Sequence, residues 1–337
     1  MNSPQETQLG HELRQLVSGQ PFTPDIEAIG LRARQRHRRG LALRGATAAG
    51  AAVLAAGGLL AAVHGTGGTA AGTTAGPTAS RAPAVNSKLM SLAALIKARS
   101  GPLPGNASLI IEKQVIGGKP MQVGYGLYTD SGDMYSGDDK QTLVAAVAQH
   151  ANLADFTNAR EIAAARYAAA GDLATARVRM VNALPNDFFL SFAARKKIWE
   201  EGAAARQALM REKGIKTPLK MPTGKALQDD IDNNLWTAST IALSWGAGDP
   251  EIREGVLRLV STIPEVTVAS SATGGQPTLT ITAGPAVFGG DGEQVLTINA
   301  RTGMPISSVV TGRGMPTSVE TFRVSRVTLA DIKAGKF

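Results

Sequence analysis

The feature that most constrains this chain is a run of nineteen uncharged residues, Gly45–Val63, which reads GATAAGAAVLAAGGLLAAV. A helix of that length spans about 28 Å, close to the roughly 30 Å hydrocarbon core of a bilayer. The fourteen residues 31–44 before it hold no acid and six arginines, Arg32, Arg34, Arg36, Arg38, Arg39 and Arg44. Arginines cluster on the cytoplasmic side of spanning helices. The pattern predicts one transmembrane helix, with the N-terminus in the cytoplasm and everything after Val63 outside.

Two other interpretations of the same segment stay open. The hexapeptide at 38–43, RRGLAL, loosely matches a twin-arginine export signal, which would make the segment a cleaved leader. The long arm before it, and the poor cleavage site Ala-Val-His after it, favour an uncleaved anchor instead. The segment could also be an Ala-rich helix buried in a soluble domain, but the adjoining arginines argue against this.

The anchor divides the chain into four parts. Residues 1–44 form a cytoplasmic arm, and residues 45–63 form the transmembrane helix. Residues 64–86 are rich in Gly, Thr, Ala and Pro without an apolar pattern, which is typical of a flexible linker. Residues 87–337 are predicted to fold as one extracytoplasmic domain, located at the cell membrane by the anchor.

Composition excludes several classes of function. The formal charge of +8 and pI of about 9.8 might suggest nucleic-acid binding, but much of the excess lies in the arginines before the anchor, so we expect no nucleic acid as a partner. Cysteine is absent, which rules out disulfides, thiol nucleophiles and every cysteine-based zinc site.

The outer domain carries two groups of strand patterns on either side of a helical region. Period-two alternation and β-branched residues predict strands at 108–115, 121–129, 133–136, 266–270, 278–282, 294–299, 306–311 and 318–327. Apolar residues at spacings of three and four predict helices at 89–96, 142–151, 162–184 with a break at Gly171-Asp172, 235–243 and 249–260, and one capped by Asn186-Asp187. Short Gly/Pro turns make neighbouring strands antiparallel. The expected fold class is α+β, with a curved antiparallel sheet, a helical insertion and both strand groups in one sheet.

Motifs for chemistry are scarce. No phosphate-binding loop or Gly-x-Ser-x-Gly elbow occurs, and His150 is the only histidine after His64. An oxygen-rich stretch starts like a calcium loop but has Leu235 and Ile241 at the glycine and glutamate positions, so an acidic helix start or solvated turn is favoured over a metal site. It comprises Asp229, Asp230, Asp232, Asn233 and Asn234. A second set of carboxylates could lie near one end of the sheet: Glu112, Asp130, Asp133, Asp138 and Asp139. We assign no catalytic residue, metal ligand or cofactor.

Two stretches resemble a known group of proteins. They are 249–266, DPEIREGVLRLVSTIPEV, and 296–306, LTINARTGMPI. Together they resemble actinobacterial single-pass membrane proteins of unknown function, often encoded beside extracytoplasmic-function sigma factors. The Thr-Gly-x-Pro turn at 302–305 is also similar to curved-sheet domains of lipoprotein carriers and sigma regulators, although Asn299 replaces the usual Asp. The resemblance implies membrane anchoring and a regulatory or ligand-sensing role.

These observations favour a membrane-anchored binding or sensing module over an enzyme. Its expected partners are the lipid bilayer and an envelope protein or apolar ligand. The alternatives are a carrier of an apolar ligand and, third, an extracytoplasmic hydrolase. A large apolar cavity between sheet and helices would favour the carrier, and a filled core with a polar groove would favour partner binding. Carboxylates clustered with His150 in a cleft would favour the hydrolase.

Overall fold

The computed structural model describes residues 86–101, 103–153, 156–184, 186–212 and 220–337. The predicted arm, the transmembrane segment and the linker up to residue 85 lie outside these residues. Within the described ranges, no helix combines the length and the apolar character needed to cross a membrane.

Eight antiparallel strands form a single sheet in the order β3-β2-β1-β8-β7-β6-β5-β4. The strands are β1 Ala107–Ile116, β2 Lys119–Thr129, β3 Met134–Gly137, β4 Val266–Thr273, β5 Gln276–Ala283, β6 Glu293–Asn299, β7 Pro305–Thr311 and β8 Ser318–Val327. Each corresponds to a predicted strand, so the α+β class and the antiparallel pairing are confirmed. The two strand groups join through β1 and β8, which pair over ten residues from Ala107↔Val327 to Ile116↔Ser318.

Glycine pairs make the tightest hairpins of the sheet. Gly117-Gly118 connects β1 to β2 with φ of 56° and 78°, and Gly274-Gly275 connects β4 to β5 with φ of 56° and 76°. Two consecutive positive φ angles match the twist of the flanking strands, and only glycine adopts them at little cost. Strand β2 begins at Lys119, two residues before the predicted start at 121, because Lys119 and Pro120 already pair with β1.

Most helices pack as one layer on a single face of the sheet. The helices are α1 Ser87–Arg99, α2 Lys140–Ala148, α3 Phe156–Ala170, α4 Leu173–Val181, α5 Phe192–Glu201, α6 Ala203–Glu212, α7 Gly224–Gly246, α8 Pro250–Val260, α9 Pro285–Phe288 and α10 Leu329–Lys333. The main core lies between this face and helices α1, α3, α4, α7 and α8, where Trp236, Leu243 and Ile252 are fully or almost fully buried. A smaller core on the opposite face packs α2 and α10 against β1–β3 around Leu109, Leu127 and Leu143.

Capping side chains end or begin helices where the sequence predicts. The break at Gly171-Asp172 separates α3 from α4, and Asp172 accepts a hydrogen bond from the Thr175 amide. Asp249 opens α8 by accepting from the Glu251 amide at 2.9 Å, with Pro250 in the first turn. Asp and Asn satisfy amides that a helix start leaves unpaired.

Two helix predictions needed correction. Helix α7 starts at Gly224, eleven residues before the predicted Leu235, because its first half buries polar side chains that hide the apolar period. Helix α5 is capped by Ser191 rather than by Asn186-Asp187. The Asn186 amide group instead donates to the carbonyl oxygens of Val181 and Leu184, both at 2.8 Å, and so closes the preceding turn.

Helices α3 and α8 cross at a contact that only a glycine permits. A Cβ built on Gly255 of α8 would overlap the carbonyl oxygen of Ala165 on α3. The neighbouring residues of α3 that face the core are also small, namely Ala164, Ala168 and Ala169. Close backbone approach therefore replaces large side chains in this part of the core.

We predict that Gly255→Ala lowers the free energy of unfolding by about 2 kcal/mol. Overpacking costs about 1–3 kcal/mol or more, which exceeds the gain of up to about 1 kcal/mol from replacing a helical glycine by alanine. Urea denaturation followed by tryptophan fluorescence measures the change. Gly284→Ala is the matched control, since its φ is −76° and no atom lies within 4 Å of the added Cβ. Equal stability of the two variants would contradict the tight crossing.

Candidate functional site

The two edges of the sheet differ in how they are protected. Edge strand β3 has four residues and is covered: the Leu153 amide donates to the Met134 carbonyl at 2.7 Å, and the Met134 amide donates to Asn152 Oδ1 at 3.0 Å. Helix α2 also packs against β3. Short length and added cover are the usual means by which proteins prevent strand addition at an edge.

The opposite edge strand, β4, is longer and less covered: Lys88 Nζ reaches the Val268 carbonyl oxygen, while residues 270–273 are exposed. Its eight residues, VTVASSAT, include no charge and no proline, and in the described part of the chain no strand pairs with its free side. The Val266 amide donates to Ile263 rather than to β5, so the two-residue period turns the backbone groups of Ser270 and Ala272 outward as well. An outward row of unpaired N–H and C=O groups is a template for another strand.

A groove of about 350 Å³ runs beside this edge, between helix α1 and strand β5. We call it the edge groove. Its lining comprises Ser87, Lys88, Ser91, Leu92, Leu95, Ser270, Leu279 and Ala300. Helix α1 has an apolar and a polar face. Leu89 and Ile96 are buried in the core, while Ser87 and Ser91, four residues apart, are exposed. The result is an apolar floor of leucines with hydroxyl groups at the rim.

The electrostatics around the groove are close to neutral. Lys88 is the only charged residue in its lining, and its Nζ lies 3.4 Å from the carbonyl oxygen of Val268 on β4. The whole stretch from 266 to 290 contains no Asp, Glu, Lys or Arg. The groove and the neighbouring edge strand therefore offer backbone hydrogen-bonding groups and apolar contact, with few charged groups.

Polar side chains also occupy the middle of the sheet on its main-core face. Trp236 Nε1 donates to Gln294 Oε1 at 2.7 Å, and Gln294 Nε2 lies 2.9 Å from Ser308 Oγ. Gln114 Nε2 donates to Glu320 Oε1 at 3.3 Å on the adjacent pair of strands. We call these five residues, together with Glu112, the sheet polar cluster. Apart from Glu112, the sequence prediction missed it, although Glu112 and Gln114 follow Ile110 at inward positions of β1.

Glu112 is the electrostatically unusual member of this cluster. Burial, and to a lesser degree the negative charge of Glu320, raises its pKa from the ordinary 4.5 to about 8. Glu320 is a diagonal neighbour of Glu112 across the β1–β8 ladder, because it lies two residues from Phe322, with which Glu112 pairs. At neutral pH Glu112 is thus mainly protonated, which spares the fold a second buried negative charge beside Glu320.

The predicted carboxylate group does not converge on one point. Asp130 forms a two-pronged ion pair with Arg326, at 2.6 and 2.9 Å. Asp133 accepts from Asn152 at 2.6 Å, and Asp139 caps α2. Glu112, by contrast, faces the main core. Asp138 lies in the bend between β3 and α2.

His150 lies apart from Glu112. It follows α2 in the left-handed region, with φ of 51°, and it is exposed. Helix α2 packs on the sheet face opposite to the one that carries Glu112. The arrangement that would favour a hydrolase, clustered carboxylates with His150 in a cleft, is therefore not formed by the described residues.

The oxygen-rich stretch at 229–234 lies inside helix α7, past its first turn, so neither the helix-start nor the solvated-turn interpretation was right. Asp232 pairs with Arg177, while Asn233 Nδ2 donates to the carbonyl oxygens of Val287 and Phe288 at 2.6 and 2.9 Å. Asp229 pairs with Lys225 at 2.8 Å, and burial raises the pKa of Asp230 to about 7. Nowhere in the described ranges do three His, Cys, Asp or Glu side chains form a group suited to a metal ion.

We predict that Glu112→Gln stabilises the protein at pH 8 but not at pH 4. The pKa of Glu112 is higher in the folded than in the unfolded chain, so its contribution is fully present below about 4.5 and is lost as the pH rises towards 8. This loss has a slope of at most about 1.4 kcal/mol per pH unit. Urea denaturation from pH 4 to 9 should show a flatter profile for the variant.

The matched control for this change is Glu265→Gln, which alters the same group at an exposed position. Its profile should run parallel to that of the wild type. A difference between Glu112→Gln and the wild type that stays constant with pH would contradict the raised pKa.

Comparison with protein-family models, with curated proteins and with solved structures finds no match to this chain. The resemblance to anchored actinobacterial proteins therefore stays a prediction from the quoted residues. What the chain can bind is argued below from its own edge strand, groove and charge distribution.

Proposed function

We propose that this protein is a membrane-tethered extracytoplasmic module that binds an extended polypeptide segment by strand addition at β4. One observation carries the proposal: an open, uncharged edge strand lies beside a groove with a leucine floor. Strand addition uses backbone hydrogen bonds for affinity and pockets for alternate side chains for specificity. The β4 edge and the edge groove supply both.

The geometry of β4 defines how such a segment would sit. Backbone groups of Ser270 and Ala272 face the open side, so they would pair with the incoming strand. Ser270 also lines the edge groove, which places alternate side chains of the ligand over Leu92, Leu95 and Leu279. The other side chains would lie over the hydroxyl-rich face formed by Thr267 and Ser271.

Packing of the main core supports partner binding over the carrier alternative. Apolar side chains of α7 and of the sheet belong to one buried cluster, which includes Leu235 and Trp236 from the helix and Leu296 and Ile298 from the sheet. Trp236 is moreover fixed by its hydrogen bond to Gln294. A carrier would need an apolar cavity of several hundred Å³ in this layer.

The membrane tether in this proposal rests on the sequence. Six arginines before the uncharged run favour an anchor with the N-terminus inside. A linker of about twenty residues then separates the anchor from α1, and its composition favours a random coil. A binding module tethered in this way would bind segments of envelope proteins close to the extracytoplasmic surface of the membrane.

We predict that Ser270→Pro weakens peptide binding about tenfold or more without unfolding the domain. Proline removes one outward N–H and is tolerated on the free side of an edge strand. The probe is the tightest binder from a phage-displayed library of uncharged decapeptides, measured by fluorescence anisotropy against the full chain. Because the site is nearly neutral, its affinity should change little between 50 mM and 500 mM salt.

Two controls separate the parts of this site. Ser270→Ala keeps the N–H and should bind like the wild type. Ser91→Trp fills the edge groove and should abolish binding, whereas Ala94→Trp places the same side chain at an exposed position of α1 outside the groove lining. Selection of no binder, or a binder indifferent to both Ser270→Pro and Ser91→Trp, would contradict the proposal. Dimerisation that Ser270→Pro abolishes would assign the edge to a second copy instead.

We predict that the N-terminus is cytoplasmic and the folded domain extracytoplasmic. Labelling of single introduced cysteines tests this, because the natural chain has none. In intact cells stripped of outer wall layers, a membrane-impermeant maleimide should label Thr317→Cys but not Ser3→Cys. Permeabilised cells should label both, which serves as the control. A shortened product in the medium would instead identify 45–63 as a cleaved export signal and remove the tether from the proposal.

A further inference from the structure

Lys88 lies at one end of the edge groove, where it occupies a backbone acceptor of β4. Its Nζ is 3.4 Å from the carbonyl oxygen of Val268. Val268 precedes Ser270 by two residues, so its backbone groups belong to the same outward row. Lys88 is exposed, and among the described residues it forms no ion pair. Its charge is therefore available to a ligand in the groove.

This ammonium limits how far a strand can pair along β4. In an antiparallel ladder, the ligand residue opposite Val268 would donate its N–H to the same carbonyl oxygen that Lys88 Nζ contacts. An ammonium and an amide N–H are both donors, so they compete for that oxygen. A carboxylate at this position would instead accept from Lys88, with opposite charge strengthening the hydrogen bond.

The polarity of the sheet determines which end of a ligand reaches Lys88. Every neighbouring pair of strands in the sheet is antiparallel. A ligand that continues this pattern runs opposite to β4, from the Thr273 end towards the Val266 end. Its last residues therefore arrive at Val268 and Lys88. The C-terminus of a polypeptide carries the carboxylate that this end of the groove can bind.

The backbone beyond Val266 offers no further row for pairing. The Val266 amide donates to the Ile263 carbonyl, which closes a turn directly before β4. The Asn86 amide donates to the Ser261 carbonyl at 2.9 Å, so the start of α1 is fixed against the same segment. A ligand that ends at Lys88 uses the whole outward row and does not have to pass this turn.

Other charges near the groove leave Lys88 as its positive end. Glu265, the acidic residue next to β4, lies 3.8 Å from Lys225 Nζ and so has a basic partner of its own. Arg301 is exposed beside Ala300, near the opposite end of the groove, but it does not belong to the lining. The groove thus joins an apolar floor to one ammonium at the end where an antiparallel ligand terminates.

We propose that the edge groove binds the free C-terminus of a polypeptide, with the terminal carboxylate on Lys88 and the preceding residues paired antiparallel to β4. This inference rests on the proposed function and names its ligand class. Ser270 and Ala272 hold the ligand backbone, while the leucine floor receives alternate side chains. Lys88 selects a chain end over an internal segment of the same sequence.

The test is a binding selection with synthetic, N-acetylated, uncharged decapeptides. Each is prepared as the free acid, as the C-terminal amide, and as an amide that ends in an added Glu. The full chain is held in nanodiscs, and mass spectrometry identifies the bound peptides. The free acids should be enriched, and a resynthesised acid should bind about fivefold more tightly than its amide, as expected for an ion pair at the upper end of the exposed range.

Matched variants assign this preference to Lys88. Lys88→Met should bring the Kd values of acid and amide together, whereas Lys88→Arg should keep them apart. Arg301→Met removes an exposed positive charge beside the other end of the groove and should leave the preference unchanged. Urea denaturation verifies that the three variants are as stable as the wild type.

The direction of the bound peptide gives a readout that does not depend on affinity. A nitroxide at the N-terminus of the selected peptide is measured against spin labels at Thr273→Cys and, separately, Glu265→Cys. Electron–electron double resonance should place the nitroxide roughly 20 Å closer to position 273, since eight strand residues extend over about 26 Å. The reverse order would show parallel binding and overturn the inference.

The outcomes separate this inference from the proposed function. Binding of no peptide in any form contradicts strand addition itself. Binders with equal Kd values as acid and amide, or a preference that persists in Lys88→Met, overturn the C-terminal inference and leave strand addition intact. Stronger binding of the Glu-ending amide than of the free acid assigns the ammonium to a carboxylate side chain and also overturns it.

Discussion

The pairing of β1 with β8 is the contact on which the whole structure depends. It brings together strands more than two hundred residues apart and merges a three-stranded hairpin unit with a five-stranded meander. Arg326 reinforces one end of the ladder by binding Asp130 and the carbonyl oxygens of Pro104 and Gly105. Because this pairing consumes the inner side of both groups, only β3 and β4 remain as edges. The covered edge and the open edge are thus consequences of one long-range ladder, whose formation costs loop-closure entropy.

Merging the two groups also places polar residues in the middle of a broad sheet. Glu112 and Gln114 come from the first group, and Glu320, Ser308 and Gln294 from the second, so the sheet polar cluster is complete only when β1 and β8 pair. Its hydrogen bonds cross from strand to strand and, through Trp236, to helix α7. A protonated Glu112 lets these groups share the interior without two adjacent negative charges. Misaligned pairing would leave them buried without partners, which gives the cluster a role in setting register.

Local patterns in the sequence predict much of this fold. Alternation in β5 and β6, the Gly-Gly turns and the Asp249-Pro250 helix start are short-range features, and each appears where expected. Contacts between residues that are far apart in the sequence leave no such local pattern. The polar half of α7 looks like a turn because Arg177, the partner of Asp232, lies 55 residues earlier. The edge groove joins α1 to strands that begin some 170 residues later, so its residues could not be found by spacing alone. The predicted carboxylate group failed for the same reason, since strand proximity in sequence does not fix which face a side chain takes.

The absence of charged side chains around β4 determines which interactions its open edge can make. Around β4, a stretch of 25 residues has no charged side chain, so an approaching segment is neither attracted nor repelled at a distance. Selection there depends on backbone pairing and on the fit of side chains over Leu92 and Leu279. An open edge without charged residues favours aggregation, and most proteins avoid it by placing a lysine on the strand. Here Lys88 approaches the edge from α1 and meets the Val268 carbonyl at 3.4 Å, which covers one end of β4 and leaves Ser270 to Thr273 uncovered.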